Sequence, residues 1–143
     1  MDRELIVEFI PAFIKSSTVK VFAGKKFGTI RVEMFPWYRR MKRKFFYRIY
    51  KMNNEEINGF HSFCKEFDFR NYEKTERCGL DGCTVVCHYK DVLTSREISF
   101  WSPSKASIEF QIVDYILSLL RSKVVSKKGK SYLNELSNYF REE

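Results

Sequence analysis

Cys83-Thr84-Val85-Val86-Cys87-His88-Tyr89, a polar connection over residues 91–97, and then Ile98-Ser99-Phe100-Trp101 form the passage on which the fold turns. Both runs are rich in β-branched and aromatic residues. Asp81-Gly82 supplies a turn signal before the first run, and Ser102-Pro103-Ser104 stops the second. Together they predict a β-hairpin.

Upstream, residues 19–23 and 29–35 each alternate apolar with polar side chains, and Gly24-Lys25-Lys26-Phe27-Gly28 between them supplies a turn. That pattern predicts a second hairpin with one buried and one wet face, closed by Pro36. Residues 45–50 read as a further strand. Residues 5–10 fit a strand or a short helix, and Pro11 ends either one. Asn53 or Asn54 caps a helix whose first turn holds Glu55 and Glu56, where negative charge suits the dipole. Ile57, Phe60, Cys64 and Phe67 then recur at helical spacing.

Downstream, a helix is expected from about residue 107 to 121, with Ile108, Ile112, Val113, Ile116, Leu119 and Leu120 on its core face. Ser131 is expected to cap a last short helix that turns Leu133, Leu136 and Phe140 inward. The order predicts an α+β fold: an antiparallel sheet of about five strands with two to three helices packed mainly on one face. One domain spans residues 1–143 and ends in a basic helical extension, 121–143.

The chain has 143 residues, 44% of them hydrophobic, with 14 Phe and 8 Tyr, enough for a core without covalent staples. The longest apolar runs are broken by charge, so no membrane span is expected. Asp2, Glu4 and Glu8 flank the early apolar run and argue against a secretory signal. The expected location is the cytoplasm, where the four cysteines stay reduced.

The net charge of +8 is concentrated in two places. Residues 37–51 hold seven basic groups and no acid, and residues 121–130 hold five more, again without an acid. With those twelve set aside, fourteen basic residues face eighteen acidic ones. Such segments steer acidic partners.

Catalytic and metal chemistry find little support. His61, Cys64, Cys78, Cys83, Cys87 and His88 include no C-x-x-C pair, and His88 falls on the opposite strand face from Cys83 and Cys87. Buried cysteines acting as small hydrophobes explain them better. No nucleophile signature, paired carboxylate or phosphate loop occurs. The chain is therefore read as non-enzymatic, without cofactor, metal or small-molecule substrate.

The segment Trp37-Tyr38-Arg39-Arg40-Met41-Lys42-Arg43-Lys44-Phe45-Phe46-Tyr47-Arg48 interleaves aromatic rings with cations. Trp37, Tyr38, Arg39, Arg40, Lys42, Arg43 and Lys44 are the candidate contact residues. Exposed aromatics and arginines resemble the anchors of protein interfaces. The same combination also neutralises phosphates and stacks bases. The segment reads as loop and strand, so no amphipathic helix offers it to lipid, and no membrane partner is expected.

The run Arg77-Cys78-Gly79-Leu80-Asp81-Gly82-Cys83-Thr84, then Ile98-Ser99-Phe100-Trp101-Ser102-Pro103-Ser104, then an apolar helix, resembles small uncharacterised bacterial α+β proteins. Some proteins of that kind are immunity-type partners of secreted toxins. The resemblance covers residues 45–121, carries over no functional residue and implies a protein-binding role. The charge of +8 argues against a nuclease as the partner, since a nuclease inhibitor mimics acidic nucleic acid. The expected function is thus binding of a protein partner, with nucleic-acid binding through residues 37–51 and 121–130 as the alternative.

Overall fold

The computed structural model describes residues 1–12, 15–36, 44–73, 82–103 and 105–140. Its strands are β1 (Arg3–Pro11), β2 (Ser16–Ala23), β3 (Gly28–Phe35), β4 (Phe46–Lys51), β5 (Cys83–Lys90) and β6 (Ser95–Trp101). Its helices are α1 (Asn54–Phe67), α2 (Phe110–Lys123) and α3 (Lys127–Ser137). All strands join one open antiparallel sheet in the order β4-β3-β2-β1-β5-β6. The class is α+β, with six strands rather than about five.

The additional strand is β1, and its position explains why its type was ambiguous. It lies between β2 and β5, with Val7 opposite both Val19 and Cys87. Leu5, Val7 and Phe9 are wholly buried on one face, while on the other Ile6 is half-buried and Glu8 buried. Ile6 and Ile10 on the open face join Leu5, Val7 and Phe9 in a nearly continuous apolar run, which periodicity alone does not separate from a helix.

The Leu5/Val7/Phe9 face carries the core, and all three helices pack on it. Phe9 meets Phe140 edge-on at 6.2 Å, Phe69 stacks on Tyr89 at 4.4 Å, and the Tyr132 hydroxyl donates to Ser17 Oγ at 2.8 Å. Among the described residues no helix lies on the opposite face. Ion pairs line it, Lys20–Glu4 at 3.4 Å and Arg31–Glu33 at 3.3 Å, and His88 Nδ1 lies 3.5 Å from Glu97 Oε2.

Helix α1 begins at a capping box. Asn53 Oδ1 accepts from the Glu56 N–H at 2.8 Å, and Glu56 Oε1 accepts from the Asn53 N–H at 3.0 Å. Ile57, Phe60, Cys64 and Phe67 face the sheet as expected. Two helix starts differ from expectation. Helix α2 begins only at Phe110, which leaves Ile108 ahead of it and 45% exposed. Helix α3 begins at Lys127 with Ser126, not Ser131, as its cap. Gly129 in its first turn reads as a helix breaker, but here it is required by packing: a Cβ would stand 2.4 Å from Val124 Cγ1.

At the far end of the β5–β6 hairpin Phe100 is buried and Trp101 half-buried. The Trp101 indole lies against Gly82, where a Cβ would come within 2.4 Å of its ring. That contact gives the glycine of Asp81-Gly82 a packing role beside its turn role.

Candidate functional site

Of the seven contact residues singled out by sequence, Trp37, Tyr38, Arg39, Arg40, Lys42 and Arg43 lie outside the described residues. Lys44 is exposed and sits where the chain enters β4. Its Nζ is 2.5 Å from Glu33 Oε2 and 4.7 Å from the centre of the Tyr47 ring.

Among the described residues strand β4 is an edge strand, paired only with β3. Alternation turns Phe46 into the core and leaves Tyr47 42% exposed on the open face. Arg48 is exposed, lies 5.4 Å over the Phe46 ring, and donates through Nη1 to the Tyr47 carbonyl at 2.8 Å. Phe45 is half-buried, edge-on to Tyr132, with Lys15 Nζ 5.0 Å above its ring.

The start of α3 comes to the same place. Phe46 lies near Gly129, where a Cβ would be 3.3 Å from Phe46 Cε2. The result is an open groove of about 380 Å3, lined on one side by Lys44, Phe45, Phe46, Tyr47 and Arg48 and on the other by Ser126, Lys127 and Lys128. Lys44 and Arg48 of the first basic segment and Lys127 and Lys128 of the second, about 80 residues apart in sequence, meet here. The first turn of an 11-residue helix adds the positive end of its dipole.

The second basic segment does not gather whole. Lys123 turns to Glu56, with Nζ–Oε1 at 2.9 Å, and also donates to the Lys51 carbonyl at 3.5 Å. Burial works to raise the Glu56 carboxyl, but the Asn53 N–H and the Lys123 ammonium outweigh it and hold it below its ordinary value. Arg121 donates to Ser137 Oγ and lines a different depression, with Asp114 and Phe140. The groove's cations are thus Lys44, Arg48, Lys127 and Lys128, and Lys15 lies beside it over the Phe45 ring. Only Lys44 pairs with a carboxylate among the described residues. Lys15 has no neighbouring basic run to mark it in sequence. Its place at the groove follows from the path of the chain into β2.

The cysteine–histidine set is dispersed by the fold. Cys64, Cys83 and Cys87 are buried and free. Burial pushes the Cys64 and Cys83 thiols up to about 12 and that of Cys87 higher still. Such thiols stay protonated at neutral pH and are poor nucleophiles. Cys78 lies outside the described residues. His61 serves as a structural tie: Arg3 Nη1 donates to its Nδ1 at 2.6 Å, and its Nε2–H donates to the Gly24 carbonyl at 2.8 Å. Among the described residues no three His, Cys, Asp or Glu side chains gather as a metal site would require. No helix among them is long and apolar enough to cross a membrane.

Comparison with family models, with curated proteins and with solved structures found no match.

Proposed function

We propose that this protein is a non-enzymatic nucleic-acid-binding protein that takes a single strand along the groove between β4 and the start of α3. The observation that carries the reading is the convergence of the two basic segments on one groove that also presents aromatic rings. Phosphates are neutralised by Arg48, Lys127 and Lys128, with Lys15 and Lys44 alongside. Tyr47 offers an exposed ring to an unstacked base, which favours a single strand over a duplex. A protein partner at residues 37–48 is the competing reading, but the groove's excess of cations over carboxylates suits phosphate better than a mixed protein surface. A cytoplasmic location goes with this reading, since the three described cysteines are free thiols.

The test is fluorescence anisotropy with a labelled oligonucleotide, comparing the native protein with Lys127→Glu/Lys128→Glu and with Arg48→Glu. These side chains are exposed, so folding is expected to survive. Binding should weaken by roughly tenfold or more for the double variant. Unchanged binding in both variants would remove the groove from the account.

A further inference from the structure

The strands' other end carries a second surface, built from two turns. Residues 24–27 join β2 to β3, and residues 91–94 join β5 to β6. The two hairpins flank β1, with Arg3 opposite Ala23 and Glu4 opposite Lys90. Their tips are therefore about three strand spacings apart, roughly 14 Å.

Both tips hold apolar side chains out of the fold. Phe27 is 58% exposed, Val92 77% and Leu93 75%. These turns are tied down by hydrogen bonds. The Gly24 N–H donates to the Phe27 carbonyl at 2.8 Å, and the Gly24 carbonyl accepts from His61 on α1. The Asp91 N–H donates to the Thr94 carbonyl at 2.8 Å, while Asp91 Oδ1 accepts from the Leu93 and Thr94 N–H groups at 2.8 and 2.7 Å. The other carboxylate oxygen of Asp91 takes the Tyr89 hydroxyl at 2.5 Å. Fixed turns that point branched apolar residues at solvent gain nothing for the fold itself, because nothing covers those side chains.

Around the tips the exposed charge is mainly positive. Lys25 and Lys26 precede Phe27, and Lys90 precedes the second turn. Among the described residues no carboxylate forms an ion pair with any of the three. Of the nearby acids, Glu4 is paired with Lys20 and Asp91 is held in its turn, while Asp2 is exposed. A depression of about 300 Å3 lies between the tips, lined by Asp2, Arg3, Glu4, Phe22, Lys90, Asp91 and Val92, so its own charge is mixed and the cationic excess belongs to Lys25 and Lys26 on the first tip and Lys90 at the base of the second. Arg3 Nε is buried there without a hydrogen-bond partner.

Apolar tips with cationic shoulders fit a surface that is apolar at depth and anionic at its edge. We propose that this end of the sheet docks peripherally on an anionic bilayer, with Phe27, Val92 and Leu93 entering below the headgroups and Lys25, Lys26 and Lys90 lying among them. The expectation of no membrane partner rested on the want of an amphipathic helix at residues 37–48; rigid turn tips need no helix. This surface is at the opposite end of the strands from the β4–α3 groove, so the two proposals stand independently.

The test is co-sedimentation with phosphatidylcholine vesicles, with and without phosphatidylserine. The native protein should sediment with the anionic vesicles and much less with neutral ones. Val92→Ser/Leu93→Ser should lower that partitioning by roughly tenfold or more. Lys25→Glu/Lys26→Glu should lower it similarly, since each basic residue near an anionic surface contributes roughly fivefold. Thermal melts of both variants should match the native protein, because the altered side chains are exposed. Absence of binding to anionic vesicles overturns the proposal, as does native partitioning by Val92→Ser/Leu93→Ser. Loss confined to Lys127→Glu/Lys128→Glu also overturns it, by assigning the contact to the groove.

Discussion

Two glycines in helices of the same sheet face should respond to alanine with opposite signs. Gly59 in α1 is exposed, and a Cβ there would meet nothing within 4 Å. Neither it nor Gly129 has a positive φ, so alanine is compatible with both backbones. Helix propensity alone then favours alanine by about 1 kcal/mol at each position. At Gly129 packing opposes it. The added carbon would lie 2.4 Å from Val124 Cγ1, 3.0 Å from Ser126 Oγ and 3.3 Å from Phe46 Cε2. Val124 is only 1% exposed, and a β-branched side chain has few rotamers to escape into. Overpacking of this kind costs about 1–3 kcal/mol, which exceeds the propensity gain. The net expectation is a loss of up to about 2 kcal/mol for Gly129→Ala and a gain of about 1 kcal/mol for Gly59→Ala. In a chain of this size that lowers one melting temperature, and raises the other, by roughly 3–5 °C per kcal/mol. Urea melts with unchanged m-values would give the free energies directly. If Gly129→Ala stabilises as much as Gly59→Ala, the packing of the α3 start against β4, and with it the groove, is misplaced.

Tyr132→Phe should cost about 1–2 kcal/mol in the same urea assay, because it strips the buried Ser17 Oγ of its donor without opening a cavity. Acid should weaken the fold through Glu56 and Asp91. Burial acts to raise the Asp91 carboxyl, but the Tyr89 hydroxyl, the Leu93 and Thr94 N–H groups and Arg3 outweigh it and hold it low. A carboxylate held below its unfolded value stabilises fully above that value and loses the contribution as pH falls through the folded one. Melting temperatures should therefore fall below about pH 4, and Asp91→Asn should flatten the fall.

The fold was legible wherever a strand or helix buries only one face. β2 and β3 alternate cleanly because one side is core and the other solvent, and α1 announces itself by Asn53, Glu55 and Glu56 before Ile57. β1 was not legible because it sits mid-sheet, where Leu5, Val7 and Phe9 bury against helices and Glu8 is also covered. The α3 start was missed for a related reason. Ser131 was expected as the cap, whereas Ser126 caps the helix by accepting from the N–H of Gly129, a glycine whose place is dictated by Val124 and Phe46, neighbours that only the folded chain brings together. The same holds for the groove. Its charge was visible as two segments, but that Lys127 and Lys128 join it while Lys123 and Arg121 turn elsewhere depends on Glu56 and Ser137, which composition does not reveal. The exposed tips, Phe27 and Val92-Leu93, read as ordinary turn residues. Only the hydrogen bonds that hold those turns mark their exposure as fixed.

The central claim is that Arg48, Lys127 and Lys128 meet phosphates together, and the salt dependence of single-strand binding tests it most directly. Three contacts give a slope of roughly −2 in log affinity against log salt on a single strand, and neighbouring cations steepen it. Lys127→Glu/Lys128→Glu should make that slope shallower by at least about 1.4 while leaving the melting temperature near native. A native slope near zero, or one that the double variant leaves unchanged, would contradict the account.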